Sequence, residues 1–523
     1  MIHRVKVYPG TYLDSVLQMG GTRALSQVEG VDWAAAAMAT PANIDTLVGE
    51  GFDRGGLDGA SADDLFVAVR AADDDVADQA VAAGEDVLFA AKAGGSGGAG
   101  GAAERPVRTI EEAVDRQAGS NVALVSVPGD YAALEAHKAL TAGLHVLLFS
   151  DNVSVADEIE LKDRATDLGR LVMGPGAGTA MLGGTGLGFA NAVQPGSAGD
   201  GRPRVGVVAA AGTGAQEAMS LLDRWGATVT HVIGLGGRDL NDAVDGRMAK
   251  LAVAALRDDP GTDAILLVSK PPSERVAHAV VDVARAGTTP FVAAMVGLEG
   301  GADFGVPVLP TLEQGVMAAL ATVGLEAPDV TAGLEDAAAT AGAALDPSRT
   351  LVRGLFSGGT LCYESLVILT RLLGPVWSNT PLDHAYEVPA PDGAHVCLDL
   401  GEEEYTKGRP HPMIDPAARV EWILKEGSRP DVAVVLLDVV LGHGSHSDPA
   451  GELAPACEEI RAGGAGPQVV AYVLGTEHDP QGFASQVARM EAAGCIVTPT
   501  AARASLVAAA IALRQPSLVA TRL

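Results

Sequence analysis

Val207-Val208-Ala209-Ala210-Ala211-Gly212-Thr213-Gly214-Ala215-Gln216-Glu217 and Leu355-Phe356-Ser357-Gly358-Gly359-Thr360-Leu361-Cys362-Tyr363-Glu364 share one pattern. Each is an apolar strand, a glycine-rich turn and the start of an amphipathic helix, with G-T-x-x-x-E across the turn. Glycine lets a backbone approach a ligand closely. A helix N-terminus adds unpaired N–H groups and about half a positive charge. Gly212, Thr213 and Gly214 on one turn, and Ser357, Gly358, Gly359 and Thr360 on the other, are therefore expected to hold a phosphate. The plainer reading is two ordinary N-capped helices, since Gly and Thr are common there. Two matching turns in corresponding places favour the anion, because two such helices facing each other clamp one phosphate from both sides.

The same alternation extends outward in both directions. Short apolar runs at 5–8, 65–69, 122–127, 145–149, 205–208, 229–233, 264–268, 291–295, 396–400, 432–437, 469–473 and 495–498 read as strands. Stretches long enough for a helix separate most of them. Many runs end in Gly or Pro, as in Tyr8-Pro9-Gly10, Val127-Pro128-Gly129 and Leu474-Gly475-Thr476. This is the grammar of open α/β sheets, which bind ligands beyond the carboxyl ends of their strands. A Gly/Ala/Ser run at 94–101 reads as a flexible surface loop, and 195–203 as a linker. An Ala/Asp/Glu-rich helical stretch at 325–352 marks a third boundary. The expected domains are 1–195, 204–325 and 352–523.

Composition bounds the function. The 523 residues are 48% hydrophobic but only 4% aromatic, so cores must be built from small aliphatic side chains. A formal net charge of −30 disfavours nucleic acid and anionic membranes as partners. Cys362, Cys397, Cys457 and Cys495 form no C-x-x-C pair, which points to a reducing cytoplasm and to no thiolate metal site. The start, Met1-Ile2-His3-Arg4-Val5, lacks the apolar core of a signal peptide. The apolar run at 432–441 carries Asp438 and reads as a buried strand, not a membrane span.

Three further motifs bear on chemistry. Met173-Gly174-Pro175-Gly176-Ala177-Gly178-Thr179-Ala180 fits no nucleotide fingerprint and reads as turn structure. In Gly408-Arg409-Pro410-His411-Pro412-Met413-Ile414-Asp415-Pro416, prolines fix a loop. There Arg409 is expected to grip a carboxylate or phosphate bidentately, and His411 to donate a hydrogen bond or a proton. Leu441-Gly442-His443-Gly444-Ser445-His446-Ser447-Asp448 follows a strand. Its histidines are weak metal candidates, and a ligand-facing Gly loop is the preferred reading. No metal is expected. Cys362, near a helix start, reads as a buried structural thiol.

Together these residues resemble the FdrA family, relatives of succinyl-CoA synthetase. The resemblance runs along essentially the whole chain. It is carried by Gly10-Thr11-Tyr12-Leu13-Asp14-Ser15-Val16-Leu17, Thr40-Pro41-Ala42-Asn43, Met173-Gly174-Pro175 and Gly188-Phe189-Ala190-Asn191. The stretch 354–364, the 409–416 loop and Asp479-Pro480-Gln481 add to it. It implies an α/β fold with a CoA-binding Rossmann-like domain followed by two flavodoxin-like succinyl-CoA synthetase domains. The first two domains are similar to the synthetase α subunit and the third to the C-terminal domain of its β subunit. The grasp nucleotide-binding domain of the β subunit has no counterpart.

The synthetase carries a phosphoryl group on a histidine in a G-H-A-G loop. The corresponding stretch here is Ala294-Met295-Val296-Gly297-Leu298-Glu299-Gly300-Gly301-Ala302-Asp303, without histidine. The acidic motif that would orient it reads Val268-Ser269-Lys270-Pro271-Pro272-Ser273-Glu274. The resemblance thus implies phosphate chemistry without a phosphohistidine relay. The leading expectation is a subunit of an oxamate carbamoyltransferase-type enzyme of purine catabolism, which exchanges oxalurate and phosphate with oxamate and carbamoyl phosphate. Arg409 and His411 would orient the small oxoacid amide, and further protein subunits would complete a hetero-oligomer. The alternative is an acyl-CoA synthetase or CoA-transfer protein. It would use Gly10, Thr11, Ser15, Thr40 and Asn43 as a CoA- or nucleotide-like pocket. A non-catalytic scaffold that binds a phosphorylated metabolite is the third. No cofactor is required by the first reading; CoA or a nucleotide in the first domain suits the second.

Overall fold

The computed structural model describes residues 1–522 apart from 12, 14, 58, 63, 90–106, 195, 197–200, 299–303, 408, 463 and 465. The loop expected at 94–101 and much of the linker at 195–203 lie outside the described residues. The chain divides into two compact units, Met1–Pro106 and Val107–Leu523.

The first unit contains β1 (Ile2–Tyr8), β2 (Val31–Met38) and β3 (Leu65–Ala71), in the order β1-β3-β2. Both pairings are antiparallel. Successive side chains of central β3 face opposite ways. Leu65, Val67 and Val69 pack with Leu25, Ala77 and Leu88, whereas Phe66 and Ala68 pack with Leu47, Phe52 and Leu57. This corrects the single Rossmann-like domain expected over 1–195, whose first half is a separate antiparallel unit. The strand β2, Val-Asp-Trp-Ala-Ala-Ala-Ala-Met, escapes sequence reading because its four alanines are poor strand formers.

The second unit opens with three parallel strands, β4 (Val122–Val125), β5 (His145–Leu148) and β6 (Val172–Met173). A hairpin follows, β7 (Thr179–Leu182) and β8 (Thr185–Gly188). Its turn residues Gly183 and Gly184 have φ of +57° and +79°, the left-handed pair that a tight hairpin turn requires. A second sheet takes in that hairpin with β9 (Arg204–Ala209), β10 (Thr228–Gly234), β11 (Ala264–Ser269), β12 (Phe291–Met295) and β13 (Val308–Leu309). Its order is β13-β12-β11-β9-β10-β7-β8. Residues 179–188 therefore belong to this sheet, not to the domain before it. A third sheet, all parallel, contains β14 (Leu351–Phe356), β15 (Val376–Trp377), β16 (His395–Asp399), β17 (Val432–Val440), β18 (Gln468–Leu474) and β19 (Ile496–Thr498). Its order is β15-β16-β14-β17-β18-β19.

The two large sheets repeat one topology. Strands β10-β9-β11-β12-β13 and β16-β14-β17-β18-β19 both run second-first-third-fourth-fifth, the flavodoxin-like order. Strand order reverses beside the first strand of each, and each glycine-rich turn leaves that strand's carboxyl end. Every residue of β11, β14 and β17 is buried, as expected for parallel strands covered on both faces.

One core joins the two domains. Met219 and Leu222, Leu312 and Val316, Leu361 and Leu366, and Ala504 and Ala508 belong to a single buried cluster. They come from helices Gly212–Arg224, Leu312–Thr322, Gly359–Leu373 and Ala501–Leu513. The linking stretch at 325–352 is not a loose tether: its helix Leu334–Ala344 buries Leu334, Ala338 and Ala341 in the same core. Elsewhere Lys162, fully buried, donates to Glu158 and Asp239 at 2.8 Å each and fixes helix Val155–Asp167 to the second sheet.

Candidate functional site

The two turns touch. Helices Gly212–Arg224 and Gly359–Leu373 begin without a side-chain cap. Instead the Thr360 N–H donates across the domain boundary to Thr213 Oγ1 at 3.1 Å. A Cβ on Gly214 would lie 2.9 Å from Thr360 Cγ2, and one on Gly358 would lie 2.8 Å from Thr213 Cγ2. Both distances are too short for real carbon atoms, so only glycine allows this approach. Gly358→Ala should wedge the turns apart. It should weaken binding of inorganic phosphate by at least about tenfold and cost about 1–3 kcal/mol of stability. Isothermal titration with phosphate and urea unfolding read the two effects. Unchanged affinity would show that the close approach is irrelevant to binding.

The second turn already holds an anion of the protein's own. Asp438, in the middle of β17, accepts the Ser357 N–H at 2.9 Å and the Gly358 N–H at 2.8 Å. The Ser357 hydroxyl donates to it at 3.1 Å. Arg419 pairs with the same carboxylate at 2.9 Å and also donates to the Leu355 carbonyl at 3.0 Å. Both side chains are buried. Ser357 and Gly358, expected at the phosphate, thus give their amides to Asp438 and shape the turn. Gly359 and Thr360 stand at the helix start itself. On the first turn Gly212 is exposed and Thr213 and Gly214 are buried.

A second carboxyl lies against that helix start. A Cβ on Gly359 would lie 2.5 Å from Asp399 Oδ2. Burial, reinforced by the nearby Glu402 charge, pushes the Asp399 carboxyl up to about 7. Its backbone is pinned by Asn379, which accepts the Asp399 N–H at 3.0 Å and donates to its carbonyl at 2.9 Å. His411 comes to the same place. A Cβ on Gly401 would lie 2.7 Å from His411 Nε2, 3.1 Å from Asp399 Oδ1 and 3.1 Å from the Ser357 carbonyl. Burial pulls the His411 imidazole down to about 4, so it is neutral at physiological pH. Its Nδ1 accepts the Met413 N–H at 3.2 Å, which leaves the proton on Nε2. His411 therefore carries a hydrogen-bond donor at Nε2, beside Gly401 and close to the second turn.

Arg409 is elsewhere. It is exposed, pairs with Glu421 at 3.0 Å and lines a separate cavity of about 330 Å³ with Tyr405, Trp422 and Lys425. The arginine at the turn is Arg419, on helix Ala417–Gly427. Asp399, Arg419 and Asp438 were not singled out as site residues from sequence. The available signal was Asp438 itself, a carboxylate inside an apolar strand, which must find buried donors.

The remaining motifs hold domains together. Asn191 donates to the Leu441 carbonyl and to Asp479 Oδ2, each at 2.9 Å, and Asp479 Oδ1 accepts the Ala192 N–H at 2.7 Å. Gln481 donates to the Gly442 carbonyl at 2.8 Å. The 441–448 loop is therefore a docking loop: Asp448 caps helix Pro449–Arg461, and His446 Nδ1 accepts the Asp448 N–H. Among the described residues no group of three or more His, Cys, Asp or Glu is placed to hold a metal ion. Cys362 is fully buried, and burial pushes its thiol up. Where the synthetase would carry its histidine, the described residues end at Leu298, and Gly297 donates to the Pro310 carbonyl.

In the first unit, the Gly10 N–H donates to Asp64 Oδ1 at 2.6 Å, and Thr11 Oγ1 donates to the Pro9 carbonyl at 3.4 Å. Thr40 caps helix Pro41–Gly49 through the Asn43 N–H, and Asn43 Nδ2 donates to the Met38 carbonyl at 2.9 Å. Ser15 opens helix Ser15–Ser26. No helix among the described residues is long and apolar enough to cross a membrane.

Comparison with known proteins gives two family matches. Residues 355–511 match the CoA-ligase family. Residues 1–106 match a family described as AllF, heavy metal-associated domain. That stretch contains no cysteine, and its one histidine, His3, stacks on Phe52 at 4.5 Å. The chain is 36% identical over 517 residues to the uncharacterized protein YahF of Escherichia coli, covering 97% of this chain and 98% of the relative. It is 28% identical over 166 residues to the succinate–CoA ligase [ADP-forming] subunit alpha 2 of Archaeoglobus fulgidus, covering 31% of this chain and 54% of that subunit. Among solved structures, an acetyl-coenzyme A synthetase of Ca. Korarchaeum cryptofilum matches with 16% identity and a TM-score of 0.28 over 76% of this chain and 84% of its own.

Proposed function

Because the chain belongs to the succinyl-CoA-ligase-like, FdrA/AllF-type family that includes Escherichia coli YahF, we propose that it transfers an acyl group between phosphate and an acceptor in the cleft between its two flavodoxin-like domains. The carrying observation is the pair of uncapped helix N-termini in contact through Thr213 and Thr360. The phosphoryl end of an acyl phosphate sits on the amides of Gly212, Thr213, Gly214 and Gly359, while the Thr360 amide stays on Thr213 Oγ1 and holds the two turns together. Their dipoles favour the phosphate as it departs. No residue between His278 and His384 is a histidine, so the phosphate arrives and leaves on the substrate.

With CoA as acceptor, the thiol attacks the acyl carbonyl and the carbon–oxygen bond to phosphate breaks. Asp399 takes the thiol proton, a task that suits a carboxyl pushed up to about 7. The His411 Nε2–H donates to the carbonyl oxygen as charge develops. CoA is the acceptor favoured by the CoA-ligase match and the succinate–CoA ligase relative. Within the first unit, Gly10, Thr11, Ser15, Thr40 and Asn43 are proposed as a CoA- or nucleotide-like pocket of that unit by itself. A second reading, the oxalurate–phosphate exchange of an oxamate carbamoyltransferase-type subunit, is favoured by the missing histidine. There the oxamate nitrogen replaces the thiol as nucleophile.

Both readings are tested on the full chain with its partner subunits. One arm supplies succinyl phosphate or acetyl phosphate with CoA and follows thioester formation. The other supplies oxalurate with phosphate and follows carbamoyl phosphate. Asp399→Asn should lower the active rate at least about a hundredfold and abolish the rise in rate near pH 7. Absence of both products would overturn the proposal, and the arm that turns over names the acceptor.

A further inference from the structure

The cavity that Arg409 lines has no task in the chemistry above. It opens beyond the carboxyl end of β16, the side on which open α/β sheets take their ligands, and holds about 330 Å³. One wall comes from Leu400, the short helix Glu403–Thr406 and Arg409. The other is a stripe of helix Ala417–Gly427. Ala418, Glu421, Trp422 and Lys425 fall at helical spacing on one face, while Arg419, Ile423 and Gly427 bury the face beneath. The small side chain of Ala418 leaves room between the walls. Tyr405 and Trp422 meet edge to face, with ring centroids 5.8 Å apart and planes at 79°, and both are half-buried. They give the cavity an apolar corner that suits a flat ring.

Charge narrows the occupant. Lysine is scarce in this chain, eight of 523 residues, yet Lys407 and Lys425 both line this cavity beside Arg409. Among the described residues neither lysine forms an ion pair with a carboxylate, and the Lys425 ammonium instead lies 3.9 Å over the Trp422 ring. Arg409 engages Glu421 through Nη1, which leaves its other donors for a ligand. Glu404 and Glu421 line the cavity as well, so a bare anion meets two carboxylates along with the three cations. A ligand that satisfies the whole lining brings a flat ring, one anionic group and hydrogen-bond donors. We propose that this cavity binds a nucleoside monophosphate, with the base against Tyr405 and Trp422, the phosphate among Lys407, Arg409 and Lys425, and the ribose hydroxyls donating to Glu404 and Glu421. The volume is at the small end of small-molecule pockets and suits a mononucleotide better than a dinucleotide or CoA. A bound nucleotide ties the two walls together. It thereby braces the segment that runs from Asp399 to His411, the two groups that the fold places at the second turn. The site is separate from the turns, and its test requires no turnover.

The test is isothermal titration of the full-length protein with AMP and adenosine as separate probes, together with hydrogen exchange with and without AMP. AMP should bind, and adenosine, which lacks the phosphate, should bind at least about tenfold more weakly. Trp422→Leu removes the ring and should weaken AMP at least about tenfold. Lys425→Met keeps the aliphatic stem over Trp422, removes the charge and should weaken AMP by a similar factor while its urea midpoint stays near that of the wild type. Bound AMP should slow amide exchange at 400–407. A wild type that does not bind AMP overturns the proposal. So does equal AMP affinity in wild type and Lys425→Met, adenosine binding as tightly as AMP, or protection confined to residues away from this cavity. AMP binding here by a protein that shows neither transfer activity would leave this site standing and remove the acyl-transfer reading.

Discussion

Arg419→Met unfolds at a much lower urea concentration than the wild type, with a loss of about 3–5 kcal/mol, and it also loses activity. The reason lies in what the guanidinium leaves behind. Asp438 is 1% exposed, and its counter-ion is Arg419, itself buried. Removing the cation leaves a carboxylate in the core with three donors from Ser357 and Gly358 but no compensating charge. The Leu355 carbonyl loses its side-chain donor at the same time. Asp438→Asn is the informative contrast. It removes the charge, keeps an acceptor for one of the two amides and should cost clearly less than Arg419→Met. Equal urea midpoints for Arg419→Met and wild type would show that this ion pair carries neither the fold nor the turn. The activity loss follows because Asp438, through the Ser357 and Gly358 amides, fixes the angle at which the helix start at Gly359 meets the first turn.

That ion pair also marks the limit of what the sequence discloses. Twelve strand positions are legible from short apolar runs, and all coincide with observed strands; for the central parallel strands of the two large sheets this is because strands buried on both faces must be continuously apolar. The two glycine turns are legible for the same reason, since nothing bulkier tolerates the contact between Thr213 and Gly358. Partners across the chain are not legible. Arg419 reaches Asp438 over nineteen residues and through a helix whose rotation the sequence leaves free. Arg409 and His411 illustrate the same point within one loop. The prolines beside them do fix its shape, yet they turn His411 inward to Gly401 and leave Arg409 outside with Glu421. The bounds 1–195 of the Rossmann-like reading do not hold, because alanine-rich β2 and the Gly183–Gly184 hairpin carry no apolar run that marks them as strands before their neighbours are in place.

The glutamates at the end of the two G-T-x-x-x-E motifs carry the second large effect: stability falls as pH rises from about 5 to 8. Glu217 and Glu364 are fully buried and related by the repeat. Each accepts the first amide of a helix in the other domain: Ala501 N–H at 3.4 Å for Glu217, and Leu312 N–H at 2.7 Å for Glu364. In each, the second carboxyl oxygen has no partner among the described residues. Burial pushes Glu217 up to about 7 and Glu364 up to about 8. Glu313, paired with Arg503 at 3.0 Å, faces both and adds to the rise; Tyr472 and Arg224 face Glu217 and oppose it. In the unfolded chain both carboxyls ionise near 4.5. Between that value and 7 to 8 the native state binds more protons than the unfolded state, so unfolding becomes easier with each pH unit. Below about 4.5 both states are protonated and this cost is absent; as pH rises past 7 to 8 it approaches its full size, on the order of 3 kcal/mol for Glu217 and 5 kcal/mol for Glu364. Glu364→Gln and Glu217→Gln keep the acceptor for the amide and cannot ionise. Each should flatten the decline of the urea midpoint between pH 5 and 8, and the double variant should overtake the wild type by pH 8. Asp399 titrates in the same window, so Asp399→Asn belongs beside them as a control for the remaining slope. An unaltered slope in the double variant would mean that the two glutamates are already ionised in the folded protein.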